Sequence, residues 1–418
     1  MSESALSGHT GLHGLAGQSN LTNSQLLIWL GQAINPDSPL YNMAMRFDIS
    51  TAIDVERFRK ALGDIVRQND AMRSVIEVVD EVPQQRVLAY EDIALQILDL
   101  SAEQDREARC NREIEKRTGQ QIDLSRRNFD TVLIRLEPAR YVWFFNQHHL
   151  FTDIRSIELL FTAVSDRYLE YHSPDTATSG SVGPEPPQFA AYRTMVNETQ
   201  GRAEETAPES QSGPVSLYHR EGGFRQTPAI RVEKTLSGMR TDKLGGLAKA
   251  PGFETLSRDL SLFNILVTAF CAYLYRISDH EEITIGCPVH NRGTMALKHT
   301  MGLFIEMFPL GVQVDPDDTF QSLHDKVAQA SFKHLRLATS SSSLIDAVRG
   351  YNVVVNYITA KFGDFASAPC DTTWLHNNHI DPQHDLRFQI MDLAGSGDLT
   401  LCFDINRKLM EPERRAMA

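Results

Sequence analysis

The sequence predicts an α+β protein built as two lobes. Its 418 residues exceed what one hydrophobic core usually serves. Strands and amphipathic helices are interspersed without strict β-α-β alternation, and a Pro-, Gly-, Ser- and Glu-rich stretch interrupts the middle of the chain. Residues 1–20 read as a flexible tail, 21–175 as an N-terminal lobe, 176–225 as an inter-lobe linker and 226–418 as a C-terminal lobe.

The elements follow in order. Met43, Met45, Phe47 and Ile49 alternate, which predicts a half-buried strand. Val55, Phe58, Leu62 and Ile65 recur at steps of three and four and predict an amphipathic helix over 52–68. Strands are expected at Met72–Val79 and Thr131–Glu137, with a charged helix between them near 102–117 whose charges are a solvated face. "RYVWFFNQHH" reads as a buried strand, and Ile157, Leu160, Phe161, Val164 and Tyr168 predict a helix starting near Thr152 or Asp153, both good N-terminal residue types. A short helical island, "PQFAAYRTMV", sits inside the linker region. The second lobe offers strands at "AIRVEKTL", "EEITIGCPV", "YNVVVNYI" and "DLTLCFDI", the last with Leu399, Leu401, Phe403 and Ile405 alternating, and an apolar helix at "SLFNILVTAFCAYLYRIS". Pro412, among acidic residues, marks a last helix start, so the chain is expected to be either a domain cut from a longer protein or one with a short final helix.

Composition narrows the function classes. A net charge of −13 argues against a nucleic-acid backbone as the main partner. The N-terminus has neither a positive n-region nor an apolar h-region, and the most apolar run, Leu262–Tyr275, is interrupted by Asn264 and Thr268, so no membrane partner is expected. Cys110, Cys271, Cys287, Cys370 and Cys402 are scattered, without the spacing of a zinc or redox site, which suits a reduced, cytoplasmic setting.

The chemistry concentrates in "FNQHHLFTDIRS", two histidines at a strand end followed by an acid at a helix start. Consecutive strand side chains point to opposite faces, so His148 and His149 are not expected to share a metal ion. A histidine at a strand end is often a satisfied core residue. Two of them beside a helix-start acid make a general base worth pursuing.

At these residues the chain resembles the condensation domains of non-ribosomal peptide synthetases, within the chloramphenicol acetyltransferase-like superfamily. His148, His149 and Asp153 fall on the family's HHxxxDG signature, Ser156 on a serine two residues after its glycine, and Ile154 on the glycine itself. "LTNSQLLIWL" resembles the opening motif SxAQxRLWxL through Gln25 and Trp29, with Leu27 in place of its arginine. "QNDAMRSVI" resembles RHDALRTxF through Asp70, Ala71 and Arg73, and "PQFAAYRTMV" resembles YxDYAxWQ. The stretch Ile283–Leu310 resembles IGxPVAGRxxxxxxxxIGxFVNTLPLR through Gly286, Pro288, Val289, Arg292, Gly302, Phe304, Pro309 and Leu310.

The resemblance implies two chloramphenicol acetyltransferase-like lobes in a V-shaped pseudo-dimer with a central tunnel. No cofactor would be bound by the domain itself; substrates would ride on the phosphopantetheine arms of donor and acceptor carrier proteins, with adjacent synthetase domains as further partners. His149 would face the tunnel, as a base or as a group that orients the nucleophile and stabilises developing charge. Asp153 and Arg292 would form a structural pair between the lobes, with Ser156 in support, and His148 would pack or hydrogen-bond. Gln25 and Trp29 would be packing residues. Ile154 is expected on the tunnel wall, where its bulk would narrow the path; Asn356 either lines the tunnel or is satisfied by backbone. The implied activity is amide or ester formation between thioester-bound partners. The alternatives are a non-catalysing recruitment platform and a stand-alone acyltransferase.

Overall fold

The computed structural model describes residues 18–171, 186–200, 214–217, 226–278, 280–340 and 350–410. Most of the expected tail and linker, and the helix start at Pro412, lie outside them.

Among the described residues the helices are α1 (Asn23–Ile34), α2 (Val55–Gln68), α3 (Arg106–Thr118), α4 (Ile154–Glu170), α5 (Phe189–Gln200), α6 (Met239–Leu247), α7 (Arg258–Ser278), α8 (Met295–Lys298) and α9 (Phe320–Ser340). The strands are β1 (Asn42–Ile49), β2 (Ser74–Val79), β3 (Val82–Val87), β4 (Gln96–Asp99), β5 (Phe129–Glu137), β6 (Arg140–His148) and β7 (Ala229–Leu236). They continue with β8 (Glu282–His290), β9 (Ile305–Gln313), β10 (Val353–Ile358), β11 (Cys370–Leu375), β12 (Leu386–Met391) and β13 (Leu399–Asn406).

Two large sheets carry the lobes. The first has the order β11-β1-β6-β5-β4 and the second β7-β13-β12-β10-β8-β9, while β2 and β3 form a separate hairpin. In the first sheet Met43, Met45, Phe47 and Ile49 of β1 sink into one core with Trp143 and Phe145 of β6. Helices α2 and α4 pack against one another and send Phe58, Leu62, Ile157 and Phe161 into that core. The alternation and the helical spacing therefore bury the faces the sequence predicts.

Helix α7 is longer than the apolar run suggests. Its 21 residues, with a mean hydropathy of 1.6 over an 18-residue window, match a membrane span in length and composition, yet Val267, Cys271 and Leu274 are buried with Ile283, Val353 and Ile390 in the second core. The second sheet corrects another expectation. In β13 the apolar alternation is present, but Cys402, Asp404 and Asn406 are the more deeply buried face, and Leu401, Phe403 and Ile405 are half-buried.

One strand crosses between the lobes. β11 comes from the 226–418 stretch but joins the first sheet antiparallel to β1, with Ala44 opposite Leu375 and Ile49 opposite Cys370. Phe362 and Phe365, just before it, belong to the first core. The chain then returns through residues 376–385 to β12 of the second sheet.

Candidate active site

β6 ends at His148, and a tight turn follows in which Phe151 N–H donates to the His148 carbonyl at 3.0 Å. Asp153 then caps α4, its Oδ1 accepting from Ser156 N–H at 2.8 Å. The strand hands over to the helix where the sequence places the change, but the extended geometry stops one residue before His149. The turn sets the direction of that ring.

The two histidines are held in opposite tautomers by their partners. His148 is buried, and its Nδ1 accepts from Leu150 N–H at 3.2 Å. Its Nε2 therefore carries the proton and donates to Gln32 Oε1 of α1 at 3.1 Å. Both nitrogens are used, and burial next to His149 pushes its pKa down to about 3. His149 Nδ1 lies 2.8 Å from the Thr152 carbonyl, which can only accept, so Nδ1 carries the proton and Nε2 of the neutral ring keeps its lone pair. Its backbone is anchored as well, with N–H donating to Tyr41 O at 2.8 Å.

His149 borders a cavity of about 480 Å³ whose walls include Tyr41 and Trp374 from the first sheet's side and Arg231, Asn356 and Arg387 from the second. Burial lowers the pKa of His149, and the charge of Arg387 adds to this; the Thr152 hydrogen bond and the charge of Asp153 oppose it. The ring is thus neutral and proton-accepting at pH 7, as a base requires.

Asp153 and Arg292 come together although 139 residues separate them. Arg292 Nη2 lies 2.9 Å from Asp153 Oδ1 and 3.0 Å from Oδ2, and Asp153 is fully buried. The carboxylate also accepts from Phe304 N–H at 3.1 Å. Arg292 donates from Nη1 to the carbonyls of Leu297 and Thr300 at 2.7 and 2.6 Å and stacks over the Phe304 ring at 4.0 Å. Ser156 Oγ accepts from Gly302 N–H and from Arg292 Nη2, both at 2.9 Å. Burial alone would push the Asp153 carboxyl up, but Arg292, with the Ser156 hydrogen bonds, holds it below its ordinary value.

Gly302 has no alternative at this junction. Its φ is +151°, and an added Cβ would meet Phe189 Cδ2 at 2.1 Å. Asp70 explains why the short helix α5 starts where it does, because its carboxylate accepts from Phe189 N–H at 2.8 Å and Ala190 N–H at 2.7 Å. Gln25 is buried and donates to Gln85 Oε1 at 2.8 Å and Leu150 O at 3.1 Å, while Trp29 packs beside it with Leu150 and Phe151.

Ile154 corrects an expectation. It is 4% exposed and belongs to the first core with Ile157 and Phe161, and it is not part of the cavity wall. As the first residue of α4 it shares the inward face of residues three and seven further on, so it fills the lobe rather than the path to His149. Ile154→Ala is therefore expected to lower the unfolding free energy by about 2–4 kcal/mol, with no gain in rate. Urea denaturation alongside a turnover assay checks both; faster turnover in this variant would return Ile154 to the tunnel.

Asn356 does border the cavity. Arg231, Arg387, His376 and Tyr41 do too, and the sequence reading missed all four. For Arg231 and Arg387 the local signal was a charged residue inside an apolar alternation, as in "AIRVEKTL" and "LRFQIM"; His376 and Tyr41 had none.

Comparison with known proteins adds a family to this geometry. The family model for the condensation domain matches residues 16–212 and 244–341. Similar proteins include a dimodular nonribosomal peptide synthase of Bacillus subtilis, 20% identical over 411 residues and 93% of this chain. Another is an isonitrile lipopeptide synthase of Streptomyces coeruleorubidus, 24% identical over 92% of it. The chain spans only 16% and 26% of those two proteins. Among solved structures, the first condensation domain of the calcium-dependent antibiotic synthetase aligns with a TM-score of 0.77 at 18% identity, over 95% of this chain and 92% of that one. The starter condensation domain of rhizomide synthetase RzmA aligns at 0.73 and 22%, over 95% and 92%.

Proposed function

The chain belongs to the condensation-domain family, and from that premise we propose that it joins a donor acyl thioester to an acceptor amine, or to a hydroxyl where the acceptor offers one. Both substrates reach the cavity on phosphopantetheine arms of carrier proteins. The observation that carries this reading is the ring of His149, fixed through Nδ1 by Thr152 O with its unprotonated Nε2 available in a cavity between the lobes.

The acceptor nitrogen attacks the donor carbonyl carbon, forming the C–N bond while Nε2 takes the proton that nitrogen must lose. The tetrahedral intermediate collapses, the C–S bond breaks, and the departing sulfur takes the proton back from His149. No residue is consumed. His148 supports this from behind through Gln32, and Asp153 with Arg292 and Ser156 holds the turn and helix that aim His149.

The test loads donor and acceptor carrier proteins with thioesters and follows product by intact-protein mass spectrometry. Product formation by the wild type supports the reading. Absence of product across cognate pairs that still bind the protein favours a recruitment role instead.

The depressed pKa of His149 makes a further prediction. A base works deprotonated, so kcat/KM should rise with pH and level off, with its inflection below 6.5, the ordinary histidine value. An inflection above 6.5 in the pH profile would contradict the assigned environment.

A further inference from the structure

The second-lobe wall of the cavity carries a row of charges that the reaction does not use. β7, β13 and β12 are adjacent in the second sheet, and Arg231, Asp404 and Arg387 lie directly opposite one another across them. Asp404 is fully buried. Its Oδ1 accepts from Arg231 Nε at 2.6 Å, and its Oδ2 from Arg231 Nη2 at 3.0 Å and Arg387 Nε at 2.9 Å. Arg231 Nη2 also donates to Gln389 Oε1 at 2.7 Å, and its Nη1 lies 3.8 Å from the exposed Glu233.

Arg231 is thereby satisfied, but Arg387 is only partly so. Its side chain is 29% exposed, Nε and Nη2 both turn to Asp404, and no hydrogen bond or ion pair to Nη1 occurs among the described residues. Beside it stands His376, whose side chain is 91% buried and whose two buried ring nitrogens have no hydrogen-bond partner among the described residues. Nε2 lies 3.4 Å from Asp404 Oδ1, out of line for a hydrogen bond. His376, Arg231, Arg387 and Gln389 all border the cavity. So does His149, whose pKa the charge of Arg387 helps to lower.

Arg231 divides its charge between Asp404 and the exposed Glu233, whereas Arg387 has only its share of Asp404 and keeps its Nη1 group over, beside the buried imidazole of His376. Among the described residues, two carboxyl groups line the cavity itself. Asp381 is engaged by the Tyr41 hydroxyl at 2.9 Å, and burial raises the pKa of Glu306, which weakens it as a counter-ion. Neither bonds to Arg387.

We propose that this wall is a recognition site for the side chain of an acyl or aminoacyl substrate that bears a carboxylate, which accepts from Arg387 Nη1, with the buried His376 ring as the backing of that site. The inference rests on the condensation reading of the cavity and adds a substrate class to it.

N-acetylcysteamine thioesters of aspartate and asparagine, and of glutamate and glutamine, offered in turn as donor and as acceptor, test the proposal. In the wild type an acidic member should exceed its amide counterpart in kcat/KM by about 10- to 100-fold, and Arg387→Gln should bring that ratio close to one. Arg387→Lys, which retains the charge beside Asp404, should keep part of the preference and controls for folding. The same discrimination is read without turnover as the Kd of stable amide analogues, so a failure of the condensation chemistry is separable from a failure of recognition. A wild type that favours no acidic member in either position, or a folded Arg387→Gln that keeps the full preference, overturns the proposal.

Discussion

His149→Ala is expected to slow product formation by about 10²- to 10⁴-fold, the usual worth of a positioned acid or base, while leaving the fold intact. The expectation follows from what the ring touches. Nδ1 is tied to one backbone carbonyl and Nε2 borders the cavity, so alanine removes the proton acceptor without breaking a side-chain network. The nearby backbone is held independently, by His149 N–H on Tyr41 O and by the Asp153 cap. Single-turnover rates from intact-protein mass spectrometry, with melting temperatures alongside, check it. A folded variant within twofold of the wild-type rate would remove His149 from the proton transfer.

Arg292→Ala should act on the other link of the chain, stability, and cost about 3–5 kcal/mol. It leaves the buried Asp153 carboxylate without its counter-ion and strips donors from two carbonyls and from Ser156 Oγ. Asp153→Asn should cost less, because Asn can still accept from Ser156 N–H, and the double variant should lose less than the sum of the two. Urea unfolding of the four proteins gives the coupling; additive losses would mean that the pair does not act as one unit. The pH dependence has a definite sign. The folded Asp153 carboxyl is held below the ordinary 3.8, so its contribution is present above that pH and is lost as pH falls through the folded value.

The strands and helices that bury one regular face were legible. Met43 to Ile49, Val55 to Ile65 and Ile157 to Tyr168 each show one periodicity, and each buries the face it predicts. The pairing of Asp153 with Arg292 was legible only through a motif, because no local pattern connects residues 139 positions apart. Periodicity misled in β13, where Asp404 and Asn406 face inward. Alternation identifies two faces but does not say which is wetter when a polar network satisfies the inner one. Ile154 was misplaced for a related reason: a motif position implied proximity to the tunnel, whereas the register of α4 turned the side chain into the lobe. The meeting of Arg387 with His376 on one wall was out of reach, since the cavity is assembled from segments far apart in the chain.

The exchanged strand β11 bears on how this protein is made and how it can be cut. β1 lacks its outer neighbour until Leu375 has left the ribosome, more than 200 residues after β6 is complete, a delay on the order of ten seconds or more at ordinary translation rates. During that interval the β1 edge and the apolar surface that Phe362 and Phe365 later cover are open to wrong partners. A chimera spliced in the middle of the chain inherits the same problem permanently, because its first sheet would be closed by a strand selected to fit a different edge. Junctions placed outside residues 42–375 keep that strand with the sheet it completes.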